Sequence, residues 1–76
     1  MQHLDTRGLF CPVPILMTAR AMRSMQSGER LEVVGDDPGI AEDMPAWCRE
    51  TGHRLVHLEH QGDIVTSLVE KADEST

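Results

Sequence analysis

The chain has 76 residues, a net charge of −6 with histidines neutral, and 39% apolar residues, with one Trp and one Phe as its aromatics. An acidic chain this poor in stacking side chains is a poor direct nucleic-acid binder. Its two cysteines exclude a disulfide-rich secreted scaffold, no stretch approaches the length of a membrane span, and residues 1–5 show no signal-peptide pattern, so one small cytoplasmic domain is expected.

In chain order, His3 to Thr6 reads as a short strand closed by the turn signal Arg7-Gly8. From Pro12 to Ser27 the spacing becomes helical. Ile15, Ala19, Met22 and Met25 form an apolar stripe; Thr18, Arg20, Arg23, Ser24 and Gln26 take the other side, and Gly28 reads as the terminating glycine. Leu31 to Val34 reads as a strand ending at the turn Gly35 to Gly39. Ile40, Met44, Trp47 and Cys48 again lie on a helical stripe, but Pro45 opposes a continuous helix. The spacing therefore predicts a turn and then a helix starting near Pro45, ended by Gly52. Arg54 to Glu59 alternates apolar and polar residues, with Val56 and Leu58 on one side. Ile64 to Val69 completes a hairpin across Gln61-Gly62-Asp63. The polar tail, 72–76, is expected to fray.

The order is β-α-β-α-β-β. Right-handed crossovers then place both helices on one face of a four-stranded mixed sheet, an α+β two-layer sandwich.

Chemistry points first to Cys11, which sits in Gly8-Leu9-Phe10-Cys11-Pro12-Val13-Pro14. With Pro12 as the first helical residue, Cys11 is the N-cap, and its sulfur lies at the positive end of the helix dipole. That position favours thiolate and lowers the thiol pKa. Pro12 and Pro14 leave Val13 and Ile15 as the N–H donors of the first turn and fix the direction of the sulfur. Free cysteine is also among the most buried residue types, so position alone leaves open a structural thiol and a nucleophile for sulfur exchange. No histidine or carboxylate adjoins Cys11 as a general base; Asp5 and Arg7 lie on the preceding strand and turn. Phe10 suits either docking or packing the loop onto the core. Arg20 and Arg23 suit either a solvated helix face or an acidic partner surface.

Cys48, next to Trp47 on the second apolar stripe, reads as core, and nothing favours a Cys11–Cys48 disulfide in a reducing compartment. His3, His53, His57 and His60 lack the spacing of common zinc sites, so neither metal nor cofactor is predicted. Asp36-Asp37 before Pro38 reads as a turn and capping pair, with partner contact as the weaker reading.

Leu4-Asp5-x-x-Gly8-Leu9-x-Cys11-Pro12-x-Pro14, followed by Gly28-Glu29-x-Leu31, Asp36-Asp37-Pro38 and Gly52-His53-x-Leu55, resembles the pattern of the TusA (SirA-like) sulfur-carrier family from Leu4 to about Lys71. The resemblance implies the same sandwich and a persulfide carried on Cys11, supported by Asp5, Gly8, Pro12 and Pro14. It implies a cysteine desulfurase or rhodanese-like sulfur donor and a downstream acceptor protein, serving tRNA thiolation, molybdenum-cofactor synthesis or sulfur oxidation. A monomer is the simplest expectation, with Leu9, Phe10, Val13, Arg20 and Arg23 as the docking candidates. The alternative function is a regulatory or adaptor module that binds a partner without moving sulfur.

Overall fold

Along the last strand, Val65, Ser67 and Val69 are fully buried, whereas the intervening Thr66 and Leu68 remain partly exposed. This period of two divides a sheet into a covered face and an open one. The computed structural model describes residues 1–73. Its elements are β1 (Gln2–Asp5), α1 (Val13–Arg23), β2 (Arg30–Gly35), α2 (Ile40–Thr51), β3 (Arg54–Gln61) and β4 (Ile64–Glu70). The sheet order is β1-β2-β4-β3; β1 runs parallel to β2, and the other pairs are antiparallel. Met22 of α1 and Ile40, Met44 and Cys48 of α2 join Leu31, Val33, Val65 and Val69 in one core. Both helices therefore cover the same face, and the α+β sandwich is as the spacing predicts.

Five local expectations change. Pro12 is the N-cap of α1 rather than its first helical residue, which moves Cys11 one place outside the helix. α1 also ends at Arg23, well short of Ser27. The Ser24 hydroxyl donates to Ala21 O at 3.1 Å, a local bond that competes with further helix, and Gly28, at φ +86°, serves the turn into β2 instead. Thr18, assigned to the polar side, is fully buried between Pro14 and Met22; its hydroxyl donates to Pro14 O at 2.8 Å and so needs no water. In β3, a bulge between Leu55 and His57 shifts the alternation by one. Leu55 and Leu58 consequently both pack on the core.

The fifth change concerns α2, which begins a full turn before Pro45. Asp37 opens it by accepting the Gly39 N–H at 3.0 Å, and Asp43 N–H donates to Gly39 O at 2.9 Å. A proline inside a helix costs about 3 kcal/mol. Burial of Ile40, Met44 and Cys48 at successive four-residue steps offsets that cost, because Ile40 and Met44 alone, fully buried, each contribute about 1.5–3 kcal/mol. At the far end Gly52 adopts φ +83° and its N–H donates to Cys48 O, as its position predicts.

Two contacts, one buried and one partly buried, tie the layers together. Lys71 crosses to the end of α1, where its Nζ donates to Met22 O at 2.6 Å and Met25 O at 2.7 Å. A cation on helix-terminal carbonyls complements the negative end of the helix dipole. Ala72, from the expected frayed tail, donates its N–H to His53 Nδ1 at 3.0 Å; 74–76 lie outside the described residues. Gly35 allows α2 to close on the sheet, since a Cβ there would run into Ile40 Cδ1 and stand 2.8 Å from Thr6 Oγ1.

Gly35→Ala is expected to lower the unfolding free energy by about 1–3 kcal/mol through overpacking, read from the urea midpoint. Lys71→Met keeps the apolar stem but leaves two carbonyls without their charged donor. An additional loss of about 1–3 kcal/mol is expected in the same assay.

Candidate functional site

The loop between β1 and α1 carries Cys11, and side chains from the far crossover hold it in place. Asp5, at the end of β1, accepts the Arg7 N–H at 3.0 Å and pairs with the Arg7 guanidinium at 2.8 Å. These hydrogen bonds hold the Asp5 carboxyl down at about 2. The chain then turns at Gly8, whose φ of +84° favours glycine. Asp36 accepts the Gly8 N–H at 3.0 Å, and Asp37 accepts the Cys11 N–H at 2.6 Å. Asp36-Asp37 is thus more than a cap for α2: it clamps the cysteine loop from 26 and 28 residues away in sequence. The bonds from Cys11 and Gly39 lower the Asp37 pKa.

Cys11 itself is partly exposed. Val13 N–H donates to Phe10 O at 2.9 Å, so this first-turn donor is not offered to the sulfur. The sulfhydryl instead donates to the Asp43 carboxylate, which the first turn of α2 carries to it. Accordingly, the thiol pKa is pushed up to about 11. Its hydrogen bond to Asp43 is the largest cause, followed by desolvation and by the negative charges of Asp43 and Asp37. The expectation of a thiol made acidic by the helix dipole is therefore overturned. Two full carboxylate charges outweigh about half a charge at a helix end from which Cys11 is displaced.

The absence of an adjacent carboxylate holds along the chain but not in space. Asp43 is the residue that sequence reasoning missed; it lies 32 positions from Cys11. Only the helical turn before Pro45 carries it to the sulfur. The start of α2 lies directly against the cysteine: a Cβ on Gly39 would stand 3.6 Å from Cys11 Cβ, an ordinary contact distance.

Of the remaining candidates, Pro12 and Pro14 flank the start of α1, and Pro14 is buried there. Phe10 is 77% exposed and Leu16 62%, with Val13 also exposed and Leu9 half-buried. Arg20 and Arg23 lie exposed in the last turn of α1, away from Cys11 along the helix. Val13, Leu16, Met17 and Arg20 line a shallow depression. Cys48 is buried, both cysteines are free, and burial pushes the Cys48 thiol up. His3 pairs with Glu32 and His57 with Glu59, while the His53 ring lies 5.1 Å from that of Trp47. Among the described residues, no group of three His, Cys, Asp or Glu could hold a metal ion, and no helix is long and apolar enough to cross a membrane.

Comparison with known proteins gives a consistent assignment. The family model described as "Sulfurtransferase TusA" matches residues 2–71. The sulfur carrier protein TusA of Allochromatium vinosum is 37% identical over 71 residues, covering 93% of each chain. YrkI of Bacillus subtilis (strain 168) is 41% identical over 68 residues, covering 90% of this chain and 91% of that protein. YrkF of the same organism is longer, and the 38% identical match spans only 38% of it. The crystal structure of a SirA-like protein from Desulfitobacterium hafniense superimposes with a TM-score of 0.79 at 18% identity, covering 96% of this chain and 100% of that one, a likeness of fold. The chain belongs to the TusA sulfurtransferase family.

Proposed function

We propose that this protein is a sulfur carrier that accepts a sulfane sulfur as a persulfide on Cys11 and passes it to a partner protein. The observation that carries this reading is the placement of Cys11: a partly exposed thiol on a clamped loop, with the exposed Phe10 and Val13 within two residues of it in the chain. A thiol presented this way is accessible to a cysteine on another protein, and the apolar side chains around it suit transient docking.

The transfer balances as a thiol exchange. The Cys11 sulfur attacks the terminal sulfur of a donor persulfide, and the donor S–S bond breaks with its electron pair going to the donor cysteine. The proton from Cys11 ends on that cysteine. Delivery repeats the step with the acceptor as attacking group. Family membership supports a cysteine desulfurase or rhodanese-like donor. Asp5, Gly8, Pro12 and Pro14 shape the loop, with Leu9, Phe10 and Val13 as its contact surface and Arg20 and Arg23 further along α1.

Incubation with a cysteine desulfurase and cysteine is expected to add one sulfur to the intact mass. Reductant should remove it, and Cys11→Ser should abolish it. No gain with several competent donors would favour the adaptor reading, and a gain lost only in Cys48→Ser would move the site.

A further inference from the structure

Asp43 differs from every other carboxylate around the cysteine loop. Asp5 is paired with Arg7, Asp36 holds the Gly8 N–H, and Asp37 holds the N–H groups of Cys11 and Gly39. Among the described residues, the Asp43 side chain has the Cys11 sulfhydryl as its hydrogen-bond partner, and neither Asp37 nor Asp43 takes part in an ion pair. Ionising Cys11 in this setting would gather three negative charges from the loop, the second crossover and α2. Such a cluster is unfavourable until a positive charge joins it.

We propose that Asp43 is a latch on the carrier thiol: it holds Cys11 as S–H in the free protein and releases it as a thiolate when a cationic side chain of the docked partner pairs with the carboxylate. The latch rests on the carrier reading and extends it, because it makes the reactivity of Cys11 depend on docking. Asp43 is in this sense a positioning residue, acting on transfer through the protonation of Cys11. It also names the chemistry of the partner surface, which must bring a lysine or arginine beside its own reacting cysteine. Arg7 is engaged by Asp5, so the cation is supplied from outside.

The test follows Cys11 alkylation by iodoacetamide against pH in the wild type, Asp43→Asn and Asp43→Ala, with the modified cysteine identified by mass. The wild-type rate should rise with pH towards a midpoint of about 11. Both variants should titrate nearer an ordinary thiol, about 8.5. Because a more acidic thiolate is also a weaker nucleophile, the net gain at pH 7.5 should be roughly tenfold. In the wild type a cationic methanethiosulfonate should outpace an anionic one, and Asp43→Asn should reduce that ratio at least threefold. Unchanged midpoints in both variants overturn the latch. Slower alkylation in Asp43→Asn also overturns it, since Asp43 would then activate the thiol, and an unchanged charge ratio removes the cationic partner. None of these readouts needs a sulfur donor. A chain that shows the shifts but takes up no sulfur therefore overturns the carrier reading, while Asp43's hold on the Cys11 proton stands.

Discussion

Two adjacent carboxylates join the crossovers of this fold. Asp36 and Asp37 follow β2 and accept N–H groups of Gly8 and Cys11 from the loop that follows β1. β1 and β2 are parallel neighbours, so their following loops emerge at the same edge of the sheet. A loop that runs outside regular structure must find partners for its backbone donors, and here the partners come from the next crossover. The position of Cys11 is therefore a property of two strands and their connections rather than of one local motif.

That arrangement sets the sign of the electrostatics. The helix start alone would favour the thiolate, but the carboxylates that anchor the loop bring negative charge to the same place. Asp37 performs both tasks, fixing the Cys11 backbone and disfavouring ionisation of its side chain. Asp43 adds a direct bond to the sulfur. Phe10 and Val13, which precede and follow Cys11 and Pro12 in the chain, are both exposed, so the loop offers apolar surface as well as acidic charge. Interfaces that discriminate between partners combine apolar contact with charge complementarity in this way.

Much of the fold was legible in the sequence because burial imposes simple periods. The stripe Ile40, Met44, Cys48 and the alternation Val65, Ser67, Val69 mark the buried faces of α2 and β4 directly. Gly52 marks a helix end because a left-handed residue is needed there. Signals failed where tertiary packing overruled a local rule. Pro45 was tolerated inside α2 because core residues flank it, Thr18 was buried because its hydroxyl bonds back to Pro14, and the extra residue at Val56 has no local signature. Cys11 could be singled out from its own neighbours. Asp43 could not, since its relation to the sulfur exists only once the two crossovers lie side by side.

The bond between the Cys11 sulfhydryl and Asp43 also bears on how the protein survives between encounters. Oxidants attack thiolates far more readily than thiols, and beyond sulfenic acid the damage is largely irreversible. A partly exposed cysteine kept protonated is thus protected from peroxide without being buried. The feature that restrains its chemistry lets the sulfur stay at the surface, where another protein can reach it, over the lifetime of the chain.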